Sequence, residues 1–107
     1  MREYFKAQLL AVVQGKQESA FAYLEESQFQ LMFEVGREMG FKTITQASDG
    51  DRRILLNQHN SFSDIYVTVY VDEVVNDFYK VRVLKDSDPL RTIELIQSWW
   101  DPLDYVD

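Results

Sequence analysis

The residues best suited to chemistry in this sequence begin with its single histidine. His59 opens the polar stretch His59–Asp64, in which Ser61, Ser63 and Asp64 supply the other residue types of a nucleophile–base–acid set. The sequence has no G-x-S-x-G signature, and no strand–turn–helix pattern surrounds either serine. Because Asn, Ser and Asp favour turns through local hydrogen bonds, we predict that this stretch is a turn between two strands.

Carboxylates are the second kind of reactive group. Asp49-Gly50-Asp51 and Asp86-Ser87-Asp88 look like fragments of calcium-binding loops, but neither continues with the required glycine at position six and glutamate at position twelve. Neighbouring acids such as Glu25–Glu26 and Asp72–Glu73 could form an acid–base pair. Such pairs arise by chance in a chain with 18 acidic residues, so a solvated face is the preferred interpretation. We therefore predict no catalytic residue, no metal ligand and no cofactor.

The C-terminal end combines aromatic and acidic side chains and is the first predicted partner-binding segment. Aromatic residues dominate protein–protein hot spots, and carboxylates steer the approach of basic partners. In the alternative interpretation the aromatic residues and Leu103 fold back onto the core, and the acids only solvate the terminus. The partner-binding residues predicted here are Trp99, Trp100, Asp101, Asp104, Tyr105 and Asp107.

A second predicted contact surface lies on one face of a strand pair. Tyr66 and Tyr70 alternate with valines on one strand, and Lys80 and Arg82 do so on the next. Exposed aromatic and basic side chains on a sheet are typical of modules that stack single-stranded RNA. Cross-strand pairing of tyrosines with cations explains the same pattern as ordinary sheet stabilisation. We favour protein contact or stabilisation, because an acidic protein repels phosphate.

Composition limits the class of protein. The chain has 107 residues, no cysteine, 14% aromatic residues and a net charge of −7. The aromatic content argues against an acidic disordered chain, and the charge argues against direct nucleic-acid binding. The N-terminal MREYFKAQLLAVV is interrupted by polar residues, so we predict an amphipathic helix and neither a signal peptide nor a membrane span. We expect one cytoplasmic domain over residues 1–107, with 101–107 as an acidic aromatic tail.

Helical spacing of apolar residues dominates the first half of the chain. It predicts a helix over Arg2–Gln14 and a longer one over Glu18–Met39, which a glycine follows. A break at Ser27 is the alternative, since its spacing to Gln30 matches a capping box. Gly36 costs a helix interior about 1 kcal/mol relative to alanine, so its presence indicates a close crossing with another element.

Alternation of apolar and polar residues dominates the second half. Strands are predicted over Phe41–Gln46 and Arg52–Gln58, with Asp49-Gly50 as a type I′ hairpin turn. A second hairpin is predicted from two valine rows, which must share a face. The register chosen pairs Val71 with Tyr79, Glu73 with Asp77, Tyr70 with Lys80 and Thr68 with Arg82. It leaves the three-residue loop Val74-Val75-Asn76, in which Asn76 adopts the left-handed conformation.

The last element is predicted to be a helix with Asp88 as N-cap, Pro89 at its first position and Pro102 beyond its end near Trp100. The predicted order is α-α-β-β-β-β-α. This order indicates an α+β fold, with a helical hairpin and the last helix packed on one face of a four-stranded antiparallel meander. The opposite sheet face, with Tyr66, Tyr70, Lys80 and Arg82, is predicted to be open.

These features predict a small acidic module that binds another protein with a basic surface. An inhibitor, immunity-type protein, adaptor or secretion chaperone would act in this way, and an anionic decoy of a nucleic-acid-binding protein is one subtype. A bacterial or phage origin is compatible with this function. One alternative is an enzyme or small-molecule-binding protein with a pocket between helices and sheet. A second alternative is a structural homodimer.

The negative charge is concentrated at one end of the chain. Residues 1–85 contain twelve acidic and ten basic residues, a net charge of −2. Residues 86–107 contain six acidic residues and one basic residue, a net charge of −5. The predicted contact with a basic partner is therefore assigned to the C-terminal end, where both tryptophans lie.

Overall fold

The computed structural model describes residues 1–100, without the side chains of Phe21, Ala22 and Trp100. It contains three helices and five strands and has the predicted α+β class. In chain order the elements are α1 (Arg2–Val13), β1 (Ser19–Leu24), α2 (Glu26–Glu38), β2 (Phe41–Asp49), β3 (Arg52–His59), β4 (Tyr66–Val75), β5 (Phe78–Lys85) and α3 (Pro89–Trp100). All neighbouring strands are antiparallel, in the spatial order β1-β5-β4-β3-β2.

The predicted long helix over residues 18–39 is wrong in its first third. Ser19–Leu24 is a strand at the edge of the sheet, where Ala20 lies opposite Val83 and Leu24 opposite Tyr79. The helix begins only at Glu26, and Gln28 Oε1 accepts the backbone N–H of Glu25 at 3.0 Å. The spacing of apolar residues in 19–24 fits both a helix and a strand. Pairing with β5, sixty residues away in sequence, decides in favour of the strand. The predicted helical hairpin is therefore replaced by α1–β1–α2.

The first layer of helices covers one face of the sheet. Phe5, Leu9 and Val12 are buried on α1, and Phe29, Met32 and Val35 are buried on α2. All of these side chains except Val12 join the valine rows of β4 and β5 in the larger hydrophobic cluster. The valine rows thus share the helix-covered face, as the sequence predicts.

The second hairpin has a different register from the predicted one. Val71 lies opposite Val81, Tyr70 opposite Arg82 and Thr68 opposite Leu84. A bulge between Val71 and Glu73 then shifts the pairing so that Val75 meets Phe78. The requirement that the two valine rows share a face identifies that face. It does not detect a bulge, which inserts one extra residue into one strand.

The turn of this hairpin has two residues rather than three. Asn76 and Asp77 connect the strands with φ values of 51° and 67°. Positive φ at both central positions is the signature of a type I′ turn. The left-handed conformation predicted for Asn76 is confirmed, and Asp77 shares it.

The first hairpin is longer than predicted and has another turn. β2 and β3 pair from Phe41–His59 to Asp49–Arg52, so the two connecting residues are Gly50 and Asp51. Only Gly50 of these two has a positive φ, at 63°, which fits a type II′ turn and not the predicted type I′ turn. A bulge between Thr43 and Thr45 interrupts the free edge of the sheet at β2.

The last helix lies on the opposite face of the sheet from α1 and α2. It begins at Pro89 as predicted, and the Asp88 carboxylate accepts the backbone N–H of Arg91 at 3.4 Å. α3 lies over β2 and β3, where Ile96 packs against Ala47, Ile54 and Leu56. The prediction that all helices share one face is wrong, because β3 is apolar on both of its faces. Within residues 1–100, no helix is both long and apolar enough to cross a bilayer.

Candidate functional site

The predicted aromatic face of the sheet is half covered by α3. Tyr66, Tyr70 and Trp99 are half-buried and pack against the small cluster of Ala47, Ile54, Leu56 and Ile96. The Tyr66 hydroxyl also accepts the side-chain N–H of Gln58 at 3.1 Å. The structure thus brings these three predicted site residues together. Much of each aromatic surface serves a second hydrophobic core.

Asp86 holds the beginning of α3 against the sheet. Its carboxylate accepts the hydroxyl groups of Thr68, on β4, and of Thr92, on α3. It also accepts the backbone N–H of Asp88 at 2.9 Å. Both threonines are buried, so these hydrogen bonds satisfy hydroxyls that are withdrawn from water. The acid–Ser–acid sequence at residues 86–88 therefore has a structural role in the helix start.

A groove lies between α3 and the part of the sheet that α3 leaves uncovered. We call it the α3 groove. Its floor is formed by Thr68, Tyr70, Arg82 and Leu84, and its helical wall by Arg91, Thr92 and Leu95. It has a volume of about 420 Å³ and is also lined by residues 85–88. The Asp86 hydrogen bonds to Thr68 and Thr92 hold the floor and the helical wall together.

The floor of the groove carries a preorganised cation. The Arg82 guanidinium lies over the Tyr70 ring, with its central carbon 4.6 Å from the ring centre. Its Nε and Nη2 donate to the two oxygens of Asp72 at 2.8 and 3.0 Å. Such a two-point pair fixes the plane of the guanidinium. Arg82 therefore presents a flat surface of fixed orientation to the groove.

The same contacts shift the ionisation of all three groups. The hydrogen bonds from Arg82 lower the pKa of Asp72, despite partial burial, and raise the pKa of Arg82. Burial raises the pKa of the Tyr70 hydroxyl, and the negative charge of Asp86 adds to this effect. At neutral pH the floor holds a neutral phenol and an ion pair. The floor of the groove is therefore aromatic and hydrogen-bonding, with little net charge.

Trp99 is held on the other side of α3. The Arg52 guanidinium lies over its ring at 4.8 Å and also donates to Asp49 at 2.7 Å. This contact ties the last turn of α3 to the β2–β3 turn. The Trp100 side chain and the predicted site residues Asp101, Asp104, Tyr105 and Asp107 lie outside the described part of the chain.

His59 occupies a structural position. Its Nδ1 accepts the backbone N–H groups of Ser61 and Phe62 at 3.0 and 3.1 Å, and its Nε2 lies 3.0 Å from the backbone oxygen of Met39. Two donors at Nδ1 require that Nε2 carry the proton and donate to Met39. Both nitrogens thus have main-chain partners. The predicted turn is confirmed for residues 60–64, whereas His59 itself is the last residue of β3.

The remaining acidic motifs do not converge. Asp49 pairs with Arg52, and Glu34 and Glu38 pair with Arg2 at 3.4 and 2.5 Å. In the described chain no group of three or more His, Asp or Glu residues is placed to hold a metal ion. The acidic side chains of the described residues lie apart from one another, in ion pairs, in helix caps or in solvent.

Sequence reasoning did not identify Leu84, Thr92 and Leu95 as groove residues. Leu84 is an apolar residue at the end of a face of β5 that otherwise carries polar side chains. Leu95 lies beside the buried face of α3 and is itself exposed. The alternation in residues 79–85 does place Leu84 on the same face as Arg82. The position of α3 across that face was required to make these residues neighbours.

Comparison with family models, with curated proteins and with solved structures gives no match to this chain.

Proposed function

We propose that this chain is a small acidic protein-binding module of the cytoplasm that occupies the surface of a basic partner. The α3 groove is the observation that carries the proposal. It combines a fixed guanidinium–tyrosine floor with apolar side chains from a strand and a helix, which is the composition of protein–protein hot spots. An inhibitor, an immunity-type protein, an adaptor or a secretion chaperone would act through such a surface.

The apolar part of the contact is assigned to Leu84 and Leu95. Leu95 is 41% exposed on the wall of the groove, and Leu84 is half-buried in its floor. An apolar side chain of the partner would insert between them and cover the Tyr70–Arg82 stack. Burying such side chains supplies affinity, whereas the ion pair beneath fixes orientation.

The acidic part of the contact is assigned to the end of the chain that continues from α3. Residues 86–107 carry a net charge of −5, while the remainder of the chain is nearly balanced. This distribution favours partners that present lysines and arginines beside an apolar anchor. If the partner is a nucleic-acid-binding protein, the carboxylates would take the place of phosphates.

The test begins with identification of a partner by affinity capture from source lysate, followed by measurement of its affinity by calorimetry. Leu95→Arg should weaken binding at least about tenfold, because it places a charge in a desolvated contact. Leu10→Arg is the matched control, since Leu10 is 43% exposed on α1, behind the other sheet face. Equal affinities of the Leu95→Arg variant and the original chain would exclude the α3 groove as the contact.

Two further measurements separate the apolar from the acidic contribution. Raising the salt concentration should reduce the association rate, because exposed charges separated by more than about 10 Å are screened at 0.1 M salt. Removing residues 101–107 should weaken binding and leave the unfolding midpoint unchanged. A variant that unfolds on this truncation would instead assign the tail to the core.

A further inference from the structure

A second cavity lies on the opposite face of the sheet, beneath α2. It encloses about 210 Å³ between α2 and strands β2, β3 and β4, and we call it the α2 pocket. Most of its wall is apolar. The apolar side chains lining it are Leu9, Met32, Phe33, Phe41, Val67 and Val69.

Gly36 lines this pocket from the middle of α2. Its φ lies outside the positive range that would require glycine, and a Cβ built on it meets no atom within 4 Å. The close crossing that the sequence predicts at Gly36 is therefore wrong. A glycine in a helix interior costs about 1 kcal/mol relative to alanine, and neither backbone geometry nor close packing explains it here. The space that a side chain at residue 36 would occupy is part of the pocket.

The volume sets the size of the group that fits. An apolar cavity of about 150 Å³ is sufficient for benzene. A pocket about 60 Å³ larger, as the α2 pocket is, holds a substituted phenyl ring or an alkyl chain of roughly six to eight carbons. Such a group would replace the contacts that the apolar walls lack when no side chain fills the space.

Four charged or polar side chains also line the pocket, those of Arg37, Lys42, Thr43 and Asn57. Arg37, which follows Gly36, is exposed and forms no ion pair within the described residues, in contrast to Arg2, Arg52 and Arg82. Asn57 is saturated, since its amide donates to the backbone oxygens of Leu55 and Val67. The side-chain oxygen of Asn57 accepts a hydrogen bond from the Thr43 hydroxyl at 2.6 Å. Arg37 and the exposed Lys42 are thus the charged groups left to meet a ligand at the mouth, and Arg37 is the one that offers paired N–H donors.

We propose that the α2 pocket binds a small amphipathic carboxylate, with the apolar body beneath Gly36 and the carboxylate at Arg37. A guanidinium at the edge of an apolar pocket recognises a carboxylate through paired N–H donors. The site lies across the sheet from the α3 groove, so it stands independently of the proposed protein contact. Occupation of the pocket adds ligand-dependent stability to the fold.

The test uses sodium octanoate and its uncharged analogue 1-octanol as probes. Titration of the full chain, followed by methyl resonances in the NMR spectrum, should give saturable shifts at Leu9, Met32, Val67 and Val69. Octanoate should bind more tightly than octanol. The absence of saturable shifts at these methyls with both probes would overturn the proposal, and this outcome needs no variant.

Gly36→Leu tests the position of the apolar body. Leucine favours the helix, and its side chain fills the pocket and excludes the methylene groups of the probes. The Kd of both probes should therefore rise at least about tenfold. Gly36→Ala is the matched control, because it gives the same gain in helix propensity with a single added carbon. Unchanged octanoate affinity in Gly36→Leu would place octanoate elsewhere on the protein and overturn the proposal.

Arg37→Gln tests the class of ligand. It should raise the Kd of octanoate about threefold, as expected for an exposed ion pair, and leave the Kd of octanol unchanged. Arg91→Gln makes the same change of charge on the other face of the sheet and should affect neither probe. Equal binding of octanoate and octanol, unaffected by Arg37→Gln, would overturn the assignment of a carboxylate.

Discussion

The imidazole of His59 packs directly against the backbone of Gly40, so that a Cβ on Gly40 would lie 2.7 Å from the His59 Nε2. Gly40 has a φ of +98° and lies between α2 and β2, directly before β2. His59 is the last residue of β3. The same ring donates to the backbone oxygen of Met39 and accepts two amides of the β3–β4 turn. The His59 side chain therefore joins the segment between α2 and β2 to the turn between β3 and β4.

Gly40→Ala is expected to destabilise the protein by about 2–3 kcal/mol, because it adds strain at positive φ and displaces the His59 ring from its hydrogen bonds. Gly15→Ala is the matched control, since Gly15 has a φ of +76° and no atom within 4 Å of the added Cβ. The control should cost about 1 kcal/mol in a urea unfolding experiment, from strain alone. Equal losses in the two variants would show that the His59 contact contributes nothing.

The two-residue turn at Asn76-Asp77 predicts that Asp77→Gly stabilises the protein. Asp77 has a φ of 67°, which glycine adopts without steric cost, so the free energy of unfolding should rise by about 0.5–1 kcal/mol. Asp77→Asn removes the same charge and keeps a side chain, which makes it the control. Destabilisation by Asp77→Gly would favour the register predicted from the sequence, in which Asp77 is a strand residue opposite Glu73.

The three hydrogen bonds at Asp86 predict a large effect of its removal. Asp86→Ala leaves the buried hydroxyls of Thr68 and Thr92 without their carboxylate partner and should cost about 2–3 kcal/mol. Asp88→Ala removes only the helix cap and should cost about 1 kcal/mol. In a double-mutant cycle, Thr92→Val should cost less in the Asp86→Ala background than alone, and additive losses would contradict the shared network.

The ion pair on the floor of the α3 groove predicts a dependence of stability on acid. The hydrogen bonds from Arg82 hold the pKa of Asp72 below its ordinary value of 3.8 in the folded state. The resulting stability is present above that value and is lost as the pH falls through the folded pKa. Because both side chains are about one-third exposed, the effect should be about 1 kcal/mol or less. Asp72→Asn should flatten the acid side of the stability curve, and identical acid sides would contradict it.

Tyr70 predicts the opposite trend in base. Burial raises the pKa of its hydroxyl above the ordinary value of 10.0, so the folded state holds this proton more tightly than the unfolded state. The associated stability is complete below that value and declines as the pH rises through the folded pKa. Tyr70→Phe should remove a phenol of raised pKa from the phenolate absorbance curve of the folded protein. A Tyr70→Phe curve that differs from the original only by one phenol of ordinary pKa would contradict this assignment.

The sequence determines those features that depend on neighbours along the chain. Helix ends at Gly15, Gly40 and Pro89, strands β2 to β5 and the shared face of the valine rows follow from local conformational preference and period-two patterning. The turn over residues 60–64 could be predicted because its residues favour local hydrogen bonds. The concentration of acid at the C-terminal end is likewise a property of sequence alone.

Only the tertiary structure decides features that depend on distant pairing and packing. Residues 19–24 form a strand because β5 offers a free edge, and α3 crosses the sheet because both faces of β3 are apolar. The same packing joins Leu84 to Leu95 in one groove and leaves space beneath Gly36. Such contacts carry no local signal, since their energy comes from surfaces that meet only after the chain has folded.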